Sequence, residues 1–101
     1  MYIVNTTDLF ENWLRKLRDS KAKGRILLRL RRLEKGNFGD HKSVGNGVFE
    51  LKIDYGSGYR VYYYRQDNLV IVLLLGGDKK TQQDDIEKAK ELKQCLQQKR
   101  T

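Results

Sequence analysis

Seven consecutive apolar residues, LVIVLLL at 69–75, constrain this chain more than any other feature. A run apolar on both faces reads as a central strand, and it is far shorter than the roughly 20 residues that cross a bilayer. The two segments before it change period. Phe49, Leu51 and Ile53 alternate with Glu50, Lys52 and Asp54, and Tyr59, Val61 and Tyr63 alternate with Arg60, Tyr62 and Tyr64. That two-residue alternation predicts half-buried strands. With YGSG and RQDN as turns, the three segments form an antiparallel meander.

The segments around the meander read as a short strand and three helices. YIVNT supplies an N-terminal strand, after which Thr7 or Asp8 caps a helix, Asp8 and Glu11 resembling a capping box. Phe10, Trp13, Leu14 and Leu17 make one helical stripe, and Ile26, Leu27, Leu30 and Leu33 mark a second helix from about 21 to 35, ended by Gly36. These two form a hairpin. GNFGDHKSVGNG, residues 36–47, lacks a period and reads as an exposed loop. A last helix begins near Thr81, with Asp84, Asp85 and Glu87 against its positive end and Lys99 and Arg100 at its close. Its Ile86, Ala89, Leu92 and Leu96 form a thinner stripe, suited to loose docking or to a partner. At 101 residues the chain is expected to be one domain, 1–101, of α+β class.

Charge narrows the partners. Lys and Arg number 21 against 13 Asp and Glu, a net +8 that favours phosphate polymers or an acidic protein over a membrane, since no basic stretch carries a broad apolar face. One cysteine, Cys95, makes no intrachain disulfide, and no secretory pattern opens the chain, so it reads as cytoplasmic. Asp84 and Asp85 are explained by their helix start, so no metal and no cofactor is expected.

Strand register brings the charges together. A three-residue loop, Tyr55–Ser57, pairs Ile53 with Tyr59, Leu51 with Val61 and Phe49 with Tyr63, an apolar face for the helices to cover. The opposite, uncovered face then carries Lys52 across from Arg60, Glu50 from Tyr62, and Val48 from Tyr64. Two facing cations repel unless Glu50 screens them or an anion such as phosphate sits between them. Charge pattern alone fits a plain solvated face equally well. Tyr62 and Tyr64 are packing residues in one reading and platforms for nucleobases in the other.

GVFELKIDYGSGYRVYYYRQDNLVIVLLLGGDKKTQQDDIEKAKEL, with TTDLFENWLRKL and KGNFGDHKSV before it, resembles the RelE/ParE superfamily of toxin–antitoxin proteins, and within it the HigB-like branch called addiction module killer protein. The resemblance implies a RelE-like antiparallel sheet with an N-terminal strand, a two-helix hairpin on one face, a three-strand meander and a C-terminal helix. It implies a toxin silenced by a helix-turn-helix antitoxin. Many members are ribosome-dependent endoribonucleases that cut mRNA; ParE-type members instead inhibit DNA gyrase, and a non-toxic RNA-binding domain is a third possibility.

Residue by residue, Arg60 matches the family arginine that contacts the scissile phosphate, Lys52 a strand cation, and Lys79 and Lys80 a further basic position. Gln82 and Gln83 stand where better-known nucleases carry a proton-transferring tyrosine or histidine. Cleavage through the 2′-hydroxyl needs a base, a proton donor and cations for the phosphorane. Arg60 suits charge stabilisation, Lys52 assistance or proton exchange, and Glu50 or a tyrosine hydroxyl the base. His41 is a minor candidate. Arg25, Arg29 and Arg32 on the second helix are solvated charge or contacts to ribosomal RNA.

Overall fold

The computed structural model describes residues 1–98; Lys99 and Arg100, expected to close the last helix, lie outside the described residues. In chain order the elements are β1 (Ile3–Thr6), α1 (Asp8–Lys16), α2 (Ser20–Glu34), β2 (His41–Gly45), β3 (Val48–Ile53), β4 (Tyr59–Arg65), β5 (Val70–Gly77), a single 3-10 turn (Lys79–Thr81) and α3 (Gln82–Gln98). The five strands are ordered β1-β5-β4-β3-β2. The expected meander is present, and β1 joins it parallel to β5, Ile3 opposite Val70 and Thr6 opposite Leu73. The sheet is therefore mixed. Pairing on both edges makes β5 interior to the sheet, as its unbroken apolar run requires.

The β3–β4 register agrees residue for residue with the sequence reading, from Ile53 opposite Tyr59 to Val48 opposite Tyr64. Asp54–Gly58 spans the turn, longer than the three-residue loop expected; Gly56 and Gly58 take positive φ there (59° and 77°). One face of the sheet packs Leu51, Ile53, Val61, Tyr63, Ile71 and Leu73 against Phe10 of α1 and Ile26 and Leu33 of α2. Thr7 fixes the entry of α1: its hydroxyl accepts from the Phe10 N–H at 3.0 Å and donates to the Leu74 carbonyl at 2.5 Å.

Two expectations need correction. Residues 41–45, read as loop, are the edge strand β2, paired with β3. His41, Lys42 and Ser43 are exposed and Val44 is half-buried against the second core cluster, so the strand carries no hydrophobic alternation. The second sheet face is not uncovered either. The stripe Ile86, Ala89, Leu92 and Leu96 of α3 lies over Val48, Tyr62, Tyr64, Val72, Leu74 and Leu75. A bulge, with Tyr62 opposite Leu75 but Tyr63 opposite Leu73, places both Leu74 and Leu75 in this second cluster.

Candidate functional site

Beyond the tyrosines, the second face turns ionic. Glu50, Lys52 and Arg60, with Asp40, His41 and Lys42, line an open cleft of about 200 Å³ between the β2–β3 edge and the β4 start. Glu50 is its buried centre, 2% exposed. Its Oε2 accepts from Gln82 Nε2 at 2.9 Å and from the Tyr62 hydroxyl at 3.2 Å, and lies 3.5 Å from Arg60 Nε. Lys42 Nζ approaches Oε1 to 3.9 Å from the solvent side, a weak exposed pairing. Arg60 itself is 7% exposed. Its Nη1 donates to the Gly58 carbonyl at 2.8 Å, while Nε makes no hydrogen bond to any described residue. Burial first, then the Glu50 carboxylate beside it, push the Tyr62 phenol well above its ordinary pKa, so it is a donor at neutral pH.

Lys52, Arg60 and Glu50 are thus brought together, and Lys52 and Arg60 face each other across the strand pair as expected. Glu50 supplies the anion that relieves their repulsion. Both of its hydrogen bonds fall on Oε2, while Oε1 faces Lys42 on the solvent side of the cleft. Lys79 does not line the cleft; its Cβ stands beside Gly58, near Arg60 Nη1, and its N–H donates to the Ser57 carbonyl at 3.4 Å. Lys80 is exposed on the same 3-10 turn, outside the cleft lining.

Tyr62 and Tyr64, expected as base-stacking platforms, are 0% and 1% exposed beneath α3. Neither ring presents a face to a base in this structure. Arg29 is also reassigned: its guanidinium donates to the carbonyls of Lys52, Phe38 and Asp40 at 2.5, 3.0 and 3.2 Å, strapping α2 to β3 and to the segment before β2. Burial is the main cause of its lowered pKa. Arg25 lies over the Tyr55 ring at 4.6 Å, and Arg32 is exposed; with Arg29 they border a second small cleft at the end of β3. The His41 ring packs against Phe38 and Phe49, Nδ1 meeting the Gly39 carbonyl at 3.0 Å. Lys42 was missed, hidden by reading β2 as loop. Gln82 was noted only for its position in the family pattern; its bond to Glu50, 32 positions away, carried no local signal.

Residues 12–94 match the family described as Phage derived protein Gp49-like (DUF891). The chain belongs to the Gp49-like family. An uncharacterised protein of Haemophilus influenzae is 53% identical over 93 residues, 92% of this chain and 94% of the relative. The Gp49-like chain also has the fold of E. coli RelE. The isolated RelE toxin superposes with a TM-score of 0.65 over 86% of this chain and 97% of its own, at 18% identity. A chain of the intact E. coli RelBE toxin–antitoxin complex gives 0.62 over 77% of this chain and 96% of its own, also at 18% identity. The RelE-like fold that the sequence resemblance implies is therefore present. Every residue of the cleft lies inside the Gp49-like match, whereas β1 precedes it.

Proposed function

We propose that this Gp49-like protein is the toxin of a toxin–antitoxin pair, of the HigB-like kind, and acts as a metal-independent, ribosome-dependent mRNA endoribonuclease. The observation that carries this reading is the buried Arg60 guanidinium held beside Lys52 at an open cleft. In-line attack by a 2′-hydroxyl builds negative charge on the phosphorane oxygens, and a guanidinium fixed in advance stabilises that charge without reorganising. Lys52, opposite Arg60, adds a mobile cation. Glu50 balances the pair through Oε2 and takes the proton of the attacking 2′-hydroxyl on Oε1, while Lys52 gives a proton to the leaving 5′-oxygen. The ribosome supplies the alignment of the nucleophile, which accounts for so sparse a site. Since RelE is solved in complex with its antitoxin, a small antitoxin encoded beside this gene is the expected silencing partner, and the net charge of +8 suits both an acidic partner and RNA.

Purified protein added to ribosomes on a defined transcript should give cuts mapped by primer extension, and Arg60→Ala should lower the rate by about 10²–10³-fold, the usual loss for one pre-set donor. Intact transcripts with the wild-type protein would remove the nuclease reading. A second reading, ParE-like inhibition of gyrase, draws on the same geometry: Arg60 is tied to Glu50 and Gly58 as a structural cation would be. A supercoiling assay run in parallel separates the two.

A further inference from the structure

Among the described residues Arg60 Nε is a buried N–H without a hydrogen bond, although a carboxylate oxygen lies 3.5 Å away. Such groups are uncommon, because a buried donor next to a carboxylate ordinarily closes onto it. Here Oε2 is occupied. An sp² oxygen offers two lone-pair directions, and Tyr62 and Gln82 both donate to this one, at 3.2 and 2.9 Å. The carboxylate is near enough to lower the energy of the buried guanidinium but has no lone pair left on that oxygen for its N–H.

We infer that Gln82, the first residue of α3, is a positioning residue that restrains Glu50 and thereby keeps the Arg60 guanidinium available to an anion in the cleft. This rests on the reading of the cleft as a phosphate site. Gln82 can hold this place because the start of α3 is clamped to β5. The Asp85 carboxylate occupies the space a Cβ would take at Gly77, Thr81 donates to Asp85 at 2.6 Å, and Gly77 is the strand partner of Arg60. Docking of α3 and the electrostatics of the cleft are therefore mechanically joined through one side-chain amide.

Gln82→Met keeps the length of the side chain and removes the donor. Loss of that donor frees a lone pair on Oε2, so Glu50 should close onto Arg60 Nε. In ¹⁵N spectra the Arg60 Nε–H, assigned by its loss in Arg60→Lys, should move downfield and exchange more slowly with water. Inorganic phosphate, titrated against the same resonance, should bind about three- to tenfold more weakly, the net size of one ordinary hydrogen bond. Tyr62→Phe should move both readouts in the same direction, and Glu50→Gln should strengthen phosphate binding. An unchanged Arg60 signal and phosphate affinity in Gln82→Met and Tyr62→Phe overturns the inference, as does a wild-type protein whose Arg60 signal ignores phosphate. If these shifts appear while wild-type protein leaves transcripts intact on ribosomes, the restraint stands and the nuclease reading falls. Cleavage with unchanged shifts leaves the nuclease reading and removes the restraint.

Discussion

Two sides of one sheet are built from neighbouring residues of the same strands, yet they end in different chemistry. Toward α1 and α2, Leu51, Val61, Tyr63, Ile71 and Leu73 meet Phe10, Ile26 and Leu33 in an apolar layer. Toward α3, the tyrosines and leucines of the second cluster give way, within the length of β3, to Glu50, Lys52 and Arg60. Adjacent glycines on β5 show the contrast at atomic scale. A Cβ on Gly76 would stand 2.3 Å from the Trp13 ring, whereas one on Gly77 would stand 1.9 Å from an Asp85 carboxylate oxygen. Each helical layer approaches the strand as closely as a missing side chain allows; one brings an indole and the other a charge. Where a layer is apolar throughout, it stabilises. Where it carries polar groups that satisfy one another, it also sets the position of a cation.

The comparison breaks first at the core. Ile26→Ala opens a cavity in the first face and should cost about 2–5 kcal/mol, whereas Leu92→Ala on half-buried α3 should cost about 1–2 kcal/mol, both read from urea unfolding. Equal losses would mean that α3 is as integral as the hairpin. Next come the glycines. Gly76→Ala and Gly77→Ala should each destabilise by about 1–3 kcal/mol, the former more because an indole ring packed beside Phe10 yields less readily than a carboxylate. The reverse order would show the Asp85 clamp to be the stiffer one. Tyr62→Phe keeps the ring and removes one donor to Glu50, so its loss should be smaller, about 1 kcal/mol. A loss of zero would mean that the hydroxyl bond adds nothing net to the folded state.

How far each face could be read from the sequence follows from the same difference. Period-two alternation through Phe49–Ile53 and Tyr59–Tyr63 fixed both the register and the side taken by α1 and α2, because a slip of one residue would have buried Lys52 and Arg60 against leucines. It therefore also paired Lys52 with Arg60. The same alternation said nothing of α3, since Tyr62 and Tyr64 suit a solvated face as well as a buried one, and the α3 stripe is thin. Burial of those rings had to come from tertiary packing. The edge strand β2 was illegible for a related reason: His41, Lys42 and Ser43 are exposed, so no hydrophobic pattern marks them. Gln82 joins Glu50 across 32 positions through a single amide, a link with no local signature.

The smallest expected effect probes the charge beneath α3. Burial is the main cause of the raised Asp85 pKa; Asp78 and Asp84 add to it, and the hydrogen bond from Thr81 and the charge of Lys88 oppose it. A folded-state value above the unfolded one, about 3.9, means the folded protein binds this proton more tightly. The resulting stabilisation is complete below the unfolded value and is lost as pH rises through the folded one. Asp85→Asn keeps an acceptor for Thr81 but does not titrate. The stability of wild type relative to Asp85→Asn should therefore be greatest near pH 3.5 and decline toward neutrality, in urea unfolding at a series of pH values. On the first face Tyr63, pushed up to about 12 mainly by burial, is silent across that range, so Tyr63→Phe should show no such slope. A difference that instead grows toward neutral pH would mean that Lys88 and Thr81 stabilise the anion more than burial opposes it, making the start of α3 an ionic anchor rather than a buried polar one.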